Sequence, residues 1–186
     1  LHSVTHSFPT RRSSDLEEPV RHLMMHTEYA DLVAVIKKQC AEYVKGNKGV
    51  KISNVMLIDE LFMEFDVVLI KRMLNILFTN SQKFAAKNCH ISVGLIRKDN
   101  GNVQIQVADN GIGVADEYKP HMFDHTAGVD ELELALVKDI IVAHGGTIEV
   151  KDNPGGGTIM VIDLPAKGMV EEAEIMDDDH ADDEIK

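Results

Sequence analysis

Three groups of residues in this 186-residue sequence combine type and spacing in a way that could do chemistry. The first is Asn80 with Lys83, one turn apart in a stretch of helical periodicity from Asp66 to about Ala86. At about 100° per residue, Asn80 falls in the middle of an apolar stripe made by Leu69, Met73, Ile76, Leu77 and Phe84. A buried amide without partners costs about 1–3 kcal/mol, so Asn80 requires backbone, water, or a ligand carrying a metal. An Asn and a Lys on one buried edge suit a Mg²⁺-phosphate. The plainer alternative is a core Asn bonded to backbone beside a Lys whose stem covers apolar surface.

The second group is Asp109 with Gly111 and Gly113. Val103, Ile105 and Val107 share one face of a strand, and Asp109 continues their parity, so its carboxylate points inward at the strand's end. A carboxylate in an apolar slot is a strong acceptor for an exocyclic amine. Two glycines two apart let the backbone turn tightly and approach a flat ligand. Alone, the pattern also fits an Asp that closes a turn through its own backbone. The third group, Asn153-Pro154-Gly155-Gly156-Gly157-Thr158, is by itself a hairpin turn.

These groups need elements to position them. Residues 28–45 carry apolar positions at helical spacing, stopped by Gly46-Asn47-Lys48-Gly49. Residues 51–56 and 61–65 read as short strands, and Asp66 stands where the N-cap of the next helix belongs. Residues 91–97 and 103–108 form a hairpin around Asn100-Gly101. Residues 130–143 read as a helix stopped by Gly145-Gly146, followed by a last hairpin of 147–150 and 158–164. The plan is α/β: a two-layer sandwich of a mixed, mostly antiparallel sheet with helices on one face.

Composition bounds the function. An apolar fraction of 44% and a charged fraction of 27% are ordinary for a globular chain. Cys40 and Cys89 form no metal-binding or disulfide pattern. The net charge of −12 argues against a nucleic-acid partner held through its phosphates. No apolar run reaches the roughly 18 residues of a membrane span, so no membrane contact is expected of this segment. The charge is uneven: residues 171–186 carry −8 and residues 17–170 only −5.

The expected organisation follows from these contrasts. Residues 1–16 lack helix or strand periodicity, and His6 to Leu16, HSFPTRRSSDL, resembles the translation of a common sequencing adapter. They are expected to be non-native or disordered, with the natural reading frame entering near Glu17. Residues 17–27 read as a linker, 28–166 as the folded domain, and 167–186 as an acidic disordered tail.

The order Asn80-x-x-Lys83, Asp109-x-Gly111-x-Gly113, Gly155-Gly156-Gly157-Thr158 resembles the ATP-binding domain of bacterial sensor histidine kinases, members of the GHKL ATPase superfamily. LNILFTNSQKF resembles that family's N box, VADNGIGV its first glycine box, and MFDH around Phe123 its F box. The resemblance implies the Bergerat sandwich and the cofactors ATP and Mg²⁺. It implies that Asn80 holds Mg²⁺, Lys83 contacts phosphate, and Asp109 accepts from the adenine amine through a water-assisted network supported by Gly157 and Thr158. Gly111 and Gly113 would line the adenine slot. It further implies partners, namely His-bearing dimerisation helices and a response regulator, and a cytoplasmic location within a kinase that can be membrane-anchored.

Departures from the family pattern matter equally. Where the family has a second glycine-rich box opening a helix, this sequence has Val129-Asp130-Glu131-Leu132-Glu133. Backbone N–H groups at a helix start bind phosphate, and two glutamates there oppose a triphosphate. Ile76 stands where many members carry a second Asn. No His has the sequence context of a phospho-acceptor, so catalysis would need a His on another segment, and no residue of this chain is assigned as catalytic. Two readings compete with the kinase module: a nucleotide-weak domain kept for protein interaction, and a stand-alone serine kinase of the anti-sigma type.

Overall fold

The computed structural model describes residues 23–85, 88–125 and 129–168. The adapter-like residues 1–16, most of the expected linker, and the acidic run beyond Gly168 lie outside them. The elements in order are β1 (Glu28–Asp31), α1 (Leu32–Gly46), β2 (Val50–Met56), β3 (Phe62–Phe65), α2 (Val67–Lys83), β4 (Cys89–Arg97), β5 (Val103–Asp109), α3 (Val129–Ala143), β6 (Thr147–Asp152) and β7 (Thr158–Leu164).

The main sheet has the order β2-β4-β5-β7-β6. Only β2 and β4 run parallel; the other pairs are antiparallel. In β5 the inward set Val103, Ile105, Val107 and Asp109 is buried, while Gln104, Gln106 and Ala108 alternate onto the opposite face. The three helices cover the inward face: α1 packs on β2, α2 on β4 and α3 on β6. Ile91, Val93 and Leu95 of β4 meet Ile36, Ile70, Leu74, Leu77 and Ile140 in one core. This is the two-layer sandwich that the strand alternation predicts.

Two local expectations need correction. The helix read from residue 28 starts at Leu32, because Asp31 is its N-cap: the carboxylate accepts from Val33 N at 3.0 Å and from Leu61 N at 2.9 Å. Residues 28–31 instead pair antiparallel with β3, where Tyr29 stacks on Phe62 with centroids 5.8 Å apart. The second correction concerns α2. Its buried set is Ile70, Met73, Leu74, Ile76, Leu77, Phe78 and Ser81, which centres the stripe near Leu77. Asn80 and Leu69 are therefore half-buried at the margin, and Phe84 is exposed.

Both ends of α2 are fixed. At its start, Asp66 caps the helix by accepting from Leu69 N at 2.9 Å, and it also accepts from His26 N at 2.8 Å. Asp66 N donates to His144 Nε2 at 3.1 Å, and His144 Nδ1 lies 2.7 Å from Ile140 O. Since Nε2 accepts, the proton sits on Nδ1 and both ring nitrogens are used structurally. Among the described residues, no helix is long and apolar enough to cross a membrane.

Candidate functional site

Asp109 closes β5 and is 7% exposed. Its Oδ1 accepts from Gly111 N at 2.8 Å and from Thr158 N at 3.1 Å. Its Oδ2 accepts from Ser81 Oγ at 3.2 Å. Three donors, two of them rigid backbone groups, fix the carboxylate plane and leave acceptor capacity on Oδ2. Burial, and after it the Asp109 charge, push the nearby Cys89 thiol above its ordinary pKa.

The glycines let the backbone crowd around this carboxylate. Gly157 has φ +102°, and a Cβ there would overlap the Asp109 carbonyl oxygen. That carbonyl also accepts from Asn153 Nδ2 at 2.8 Å, which ties the β6–β7 turn to the end of β5. At Gly111 a Cβ would stand 2.9 Å from Phe84 O and 3.0 Å from Asp109 Oδ1. Gly113 has φ +77°, with Gly157 O the nearest atom to a built Cβ.

The end of α2 joins the same cluster. Ile112 N donates to Phe84 O at 3.2 Å, and Ala85 and Gly111 form an isolated antiparallel bridge. The last turn of α2, with Asn80, Ser81 and Lys83, is thereby held beside Asp109, Gly111 and Thr158. Lys83 Nζ lies 5.5 Å from the centre of the Phe84 ring. Phe123 sits elsewhere: it is buried and lines a cleft of about 380 Å³ with Lys138 of α3 and Ile148 and Val150 of β6.

Ser81 is the site residue that sequence reasoning passed over. Its signal was a small hydroxyl at a buried helix position, adjacent to the Asn that drew attention. The misplaced centre of the stripe put Asn80 inside it and Ser81 towards its edge; the structure reverses the two. At the other border, α3 opens at Val129. The side chains of residues 129–131 lie outside the described set, and Glu133 is exposed.

Beside Phe123, the segment between Gly113 and α3 is tied to its surroundings through Lys119 and His125. Lys119 Nζ meets Asp116 at 2.5 Å and Asp152 of β6 at 2.7 Å. His125 Nε2 lies 3.1 Å from Asp139 Oδ1 of α3. The Asp116 and Asp152 carboxylates hold the Lys119 ammonium above its ordinary pKa.

Comparison with known proteins agrees with this fold. The family described as "Histidine kinase-, DNA gyrase B-, and HSP90-like ATPase" matches residues 65–168, more than half of the chain. The chain is 36% identical over 109 residues to the sensor protein CiaH of Streptococcus pneumoniae, which covers 53% of this chain and 24% of CiaH. It is 28% identical over 146 residues to the sensor protein KdpD of Clostridium acetobutylicum, covering 73% of this chain and 16% of KdpD. The chain thus spans about a quarter or less of these relatives' length.

Among solved structures, the catalytic domain of the histidine kinase ThkA superposes with a TM-score of 0.70 at 19% identity, over 77% of this chain and 97% of that one. Full-length ShkA in complex with AMPPNP gives a TM-score of 0.70 at 22% identity, over 80% of this chain and 33% of ShkA. These likenesses show a shared fold. The family match over residues 65–168 shows that the chain belongs to the histidine kinase-, DNA gyrase B- and HSP90-like ATPases.

Proposed function

We propose that this domain positions ATP for phosphoryl transfer to a histidine on another segment of a two-component sensor kinase. The observation that carries the reading is the buried Asp109 carboxylate, held by Gly111, Thr158 and Ser81 with acceptor capacity left on Oδ2. An adenine amine is a fitting donor for that position. Gly111 and Gly157 let the backbone close around this carboxylate, because a Cβ at either would strike Phe84 O or Asp109 O. The ShkA structure was solved with AMPPNP, which supports an adenine nucleotide as the ligand here.

Asn80 and Lys83 serve the phosphate end in this reading. Mg²⁺ accepts oxygen ligands and takes much of its shell from phosphates and water, so a single amide oxygen from Asn80 suffices as the protein's share. Among the described residues no group of three His, Cys, Asp or Glu side chains could hold a metal alone, which favours a metal brought by the nucleotide. The ion would neutralise phosphate charge, while the chain's own residues bind and orient. Phe123 packs the segment between Gly113 and α3 onto the core, and Lys119 and His125 secure it. The partners are a His-bearing helical segment and a response regulator; ThkA is known in complex with the response regulator TrrA.

A second reading has its own observation. Glu133 lies exposed in the opening turns of α3, where the family places glycine, so a nucleotide-weak interaction module is the alternative. One experiment separates them. A fluorescent ATP analogue with Mg²⁺ is titrated against the parent protein, Asp109→Asn and Lys83→Ala. Saturable binding that Asp109→Asn weakens more than Lys83→Ala supports the nucleotide site. No binding to the parent protein supports the interaction module.

A further inference from the structure

The last turn of α2 is held from two sides. One side is the Asp109 cluster. The other is α1, through a seam of polar side chains that no part of the proposed nucleotide site uses. Tyr43 of α1 is 8% exposed. Its hydroxyl lies 2.8 Å from Gln82 Oε1, to which it donates, and 3.3 Å from Thr79 Oγ1. Its ring meets Phe78 edge-on, with centroids 5.2 Å apart. One turn earlier, Gln39 Nε2 donates to Asn75 Oδ1 at 2.7 Å.

Thr79 immediately precedes Asn80 in sequence, and Gln82 immediately precedes Lys83. On a helix, residues 79 and 82 share a face one turn apart, and 80 and 83 share the adjacent face. A hydroxyl that engages both 79 and 82 therefore sets the rotation of that turn about the helix axis. Leu77 and Phe78 are buried on this part of the helix, whereas Thr79, Asn80 and Lys83 lie at or outside the margin of the buried stripe, so the Tyr43 bonds act on the side where apolar packing ends. Close packing holds a helix laterally, but a directional bond is what specifies an angle.

We propose that Tyr43 is a positioning residue for the phosphate end of the site, acting through Thr79 and Gln82 to fix the orientation of Asn80 and Lys83. The inference rests on the functional reading above and adds to it a residue of α1 that touches no ligand. The adenine end is held mainly from outside this turn, because the backbone N–H groups of Gly111 and Thr158 fix Asp109. Loss of the Tyr43 hydroxyl is therefore expected to separate the two ends of the ligand.

The test compares parent protein, Tyr43→Phe, Gln82→Ala and the double variant. Phe keeps the ring packing on Phe78 and removes only the hydroxyl. Isothermal titration measures Mg²⁺·ATP, and an NMR titration measures adenosine, which has no phosphate. Tyr43→Phe is expected to weaken Mg²⁺·ATP about three- to tenfold, the range of one neutral hydrogen bond, and to leave adenosine unchanged. The double variant is expected to fall no further than the worse single variant, since both remove the same bond. Equal losses for both ligands would mark Tyr43 as merely structural and overturn the proposal. So would unchanged Mg²⁺·ATP affinity in a Tyr43→Phe protein whose parent binds both ligands. A parent protein that binds neither ligand overturns the functional reading and this inference together.

Discussion

Ser81 Oγ donates to Asp109 Oδ2 across 28 residues of sequence, at 3.2 Å, in a buried setting. The bond joins the last turn of α2 to the end of β5. It acts on the one carboxylate oxygen that no backbone N–H occupies. Ser81→Ala removes the donor without enlarging the side chain, and alanine is the better helix former by about 0.5 kcal/mol. The expected result is adenine-nucleotide affinity lowered about three- to tenfold with a melting temperature close to the parent's. Calorimetric titration beside a thermal melt checks it. An affinity equal to the parent's would show that Gly111 N and Thr158 N alone hold Asp109.

Gly156 and Gly157 are neighbours with similar φ, +92° and +102°, but different surroundings. Nothing lies within 4 Å of a Cβ built at Gly156, whereas one at Gly157 overlaps the Asp109 carbonyl oxygen. Gly156→Ala is expected to cost about 1–2 kcal/mol, the left-handed backbone penalty alone. Gly157→Ala adds a collision with backbone, so the start of β7 must move away from Asp109. It is expected to cost at least about 1 kcal/mol more than Gly156→Ala and to abolish nucleotide binding. Urea denaturation of the two variants gives the comparison. Equal midpoints would refute the close approach.

Much of this architecture is legible in the sequence because period and parity are strong signals. The inward position of Asp109 follows from Val103, Ile105 and Val107, and the Asp66 cap follows from its place before an apolar helix. The errors arise where local signals compete. Tyr29 fits helical spacing, but the Asp31 carboxylate caps a helix that starts after it, and the pairing of β1 with β3 is non-local. The placement of Asn80 fails because angular position on a helix is relative: Leu69 is only partly buried and Phe84 is exposed, and counting them shifts the stripe. The Tyr43–Gln82 bond spans 39 residues, and nothing in either segment alone announces it.

Asp66 carries a pH dependence whose sign can be worked out. Burial alone would raise its pKa, but hydrogen bonds from the backbone N–H groups of His26, Leu69 and Val68, aided by His144, lower it below the ordinary 3.8. A depressed folded-state value contributes stability that is fully present above the unfolded value and is lost as pH falls through the folded one. Asp66→Asn keeps a capping oxygen and removes the charge. The melting temperatures of parent and Asp66→Asn are therefore expected to differ most at neutral pH and to converge below pH 3.8. Thermal melts from neutral pH into that acidic range measure the difference. A constant gap across the series would place the source of stability outside this carboxylate.

The opening of α3 is where the proposed nucleotide site is expected to lose affinity. The family resemblance implies glycines at the positions of Glu131 and Glu133, at a helix start whose N–H groups would face phosphate in the proposed site. At about 6 Å and an effective dielectric near 20, each unit charge pair costs about 2–3 kcal/mol. Weak ATP binding is expected of the parent protein, and the double change Glu131→Gly, Glu133→Gly is expected to tighten it. Two glycines inside a helix cost about 1 kcal/mol each in propensity, so the domain itself should become less stable while its affinity rises. ADP should gain less than ATP, because the γ-phosphate would be the group nearest the removed charges in the proposed site. Titration of both nucleotides with Mg²⁺, beside a thermal melt, tests the two effects separately. Equal gains for ATP and ADP, or none, would mean that the carboxylates of both residues face solvent, as Glu133 does, and that they never obstructed the phosphate end of the site.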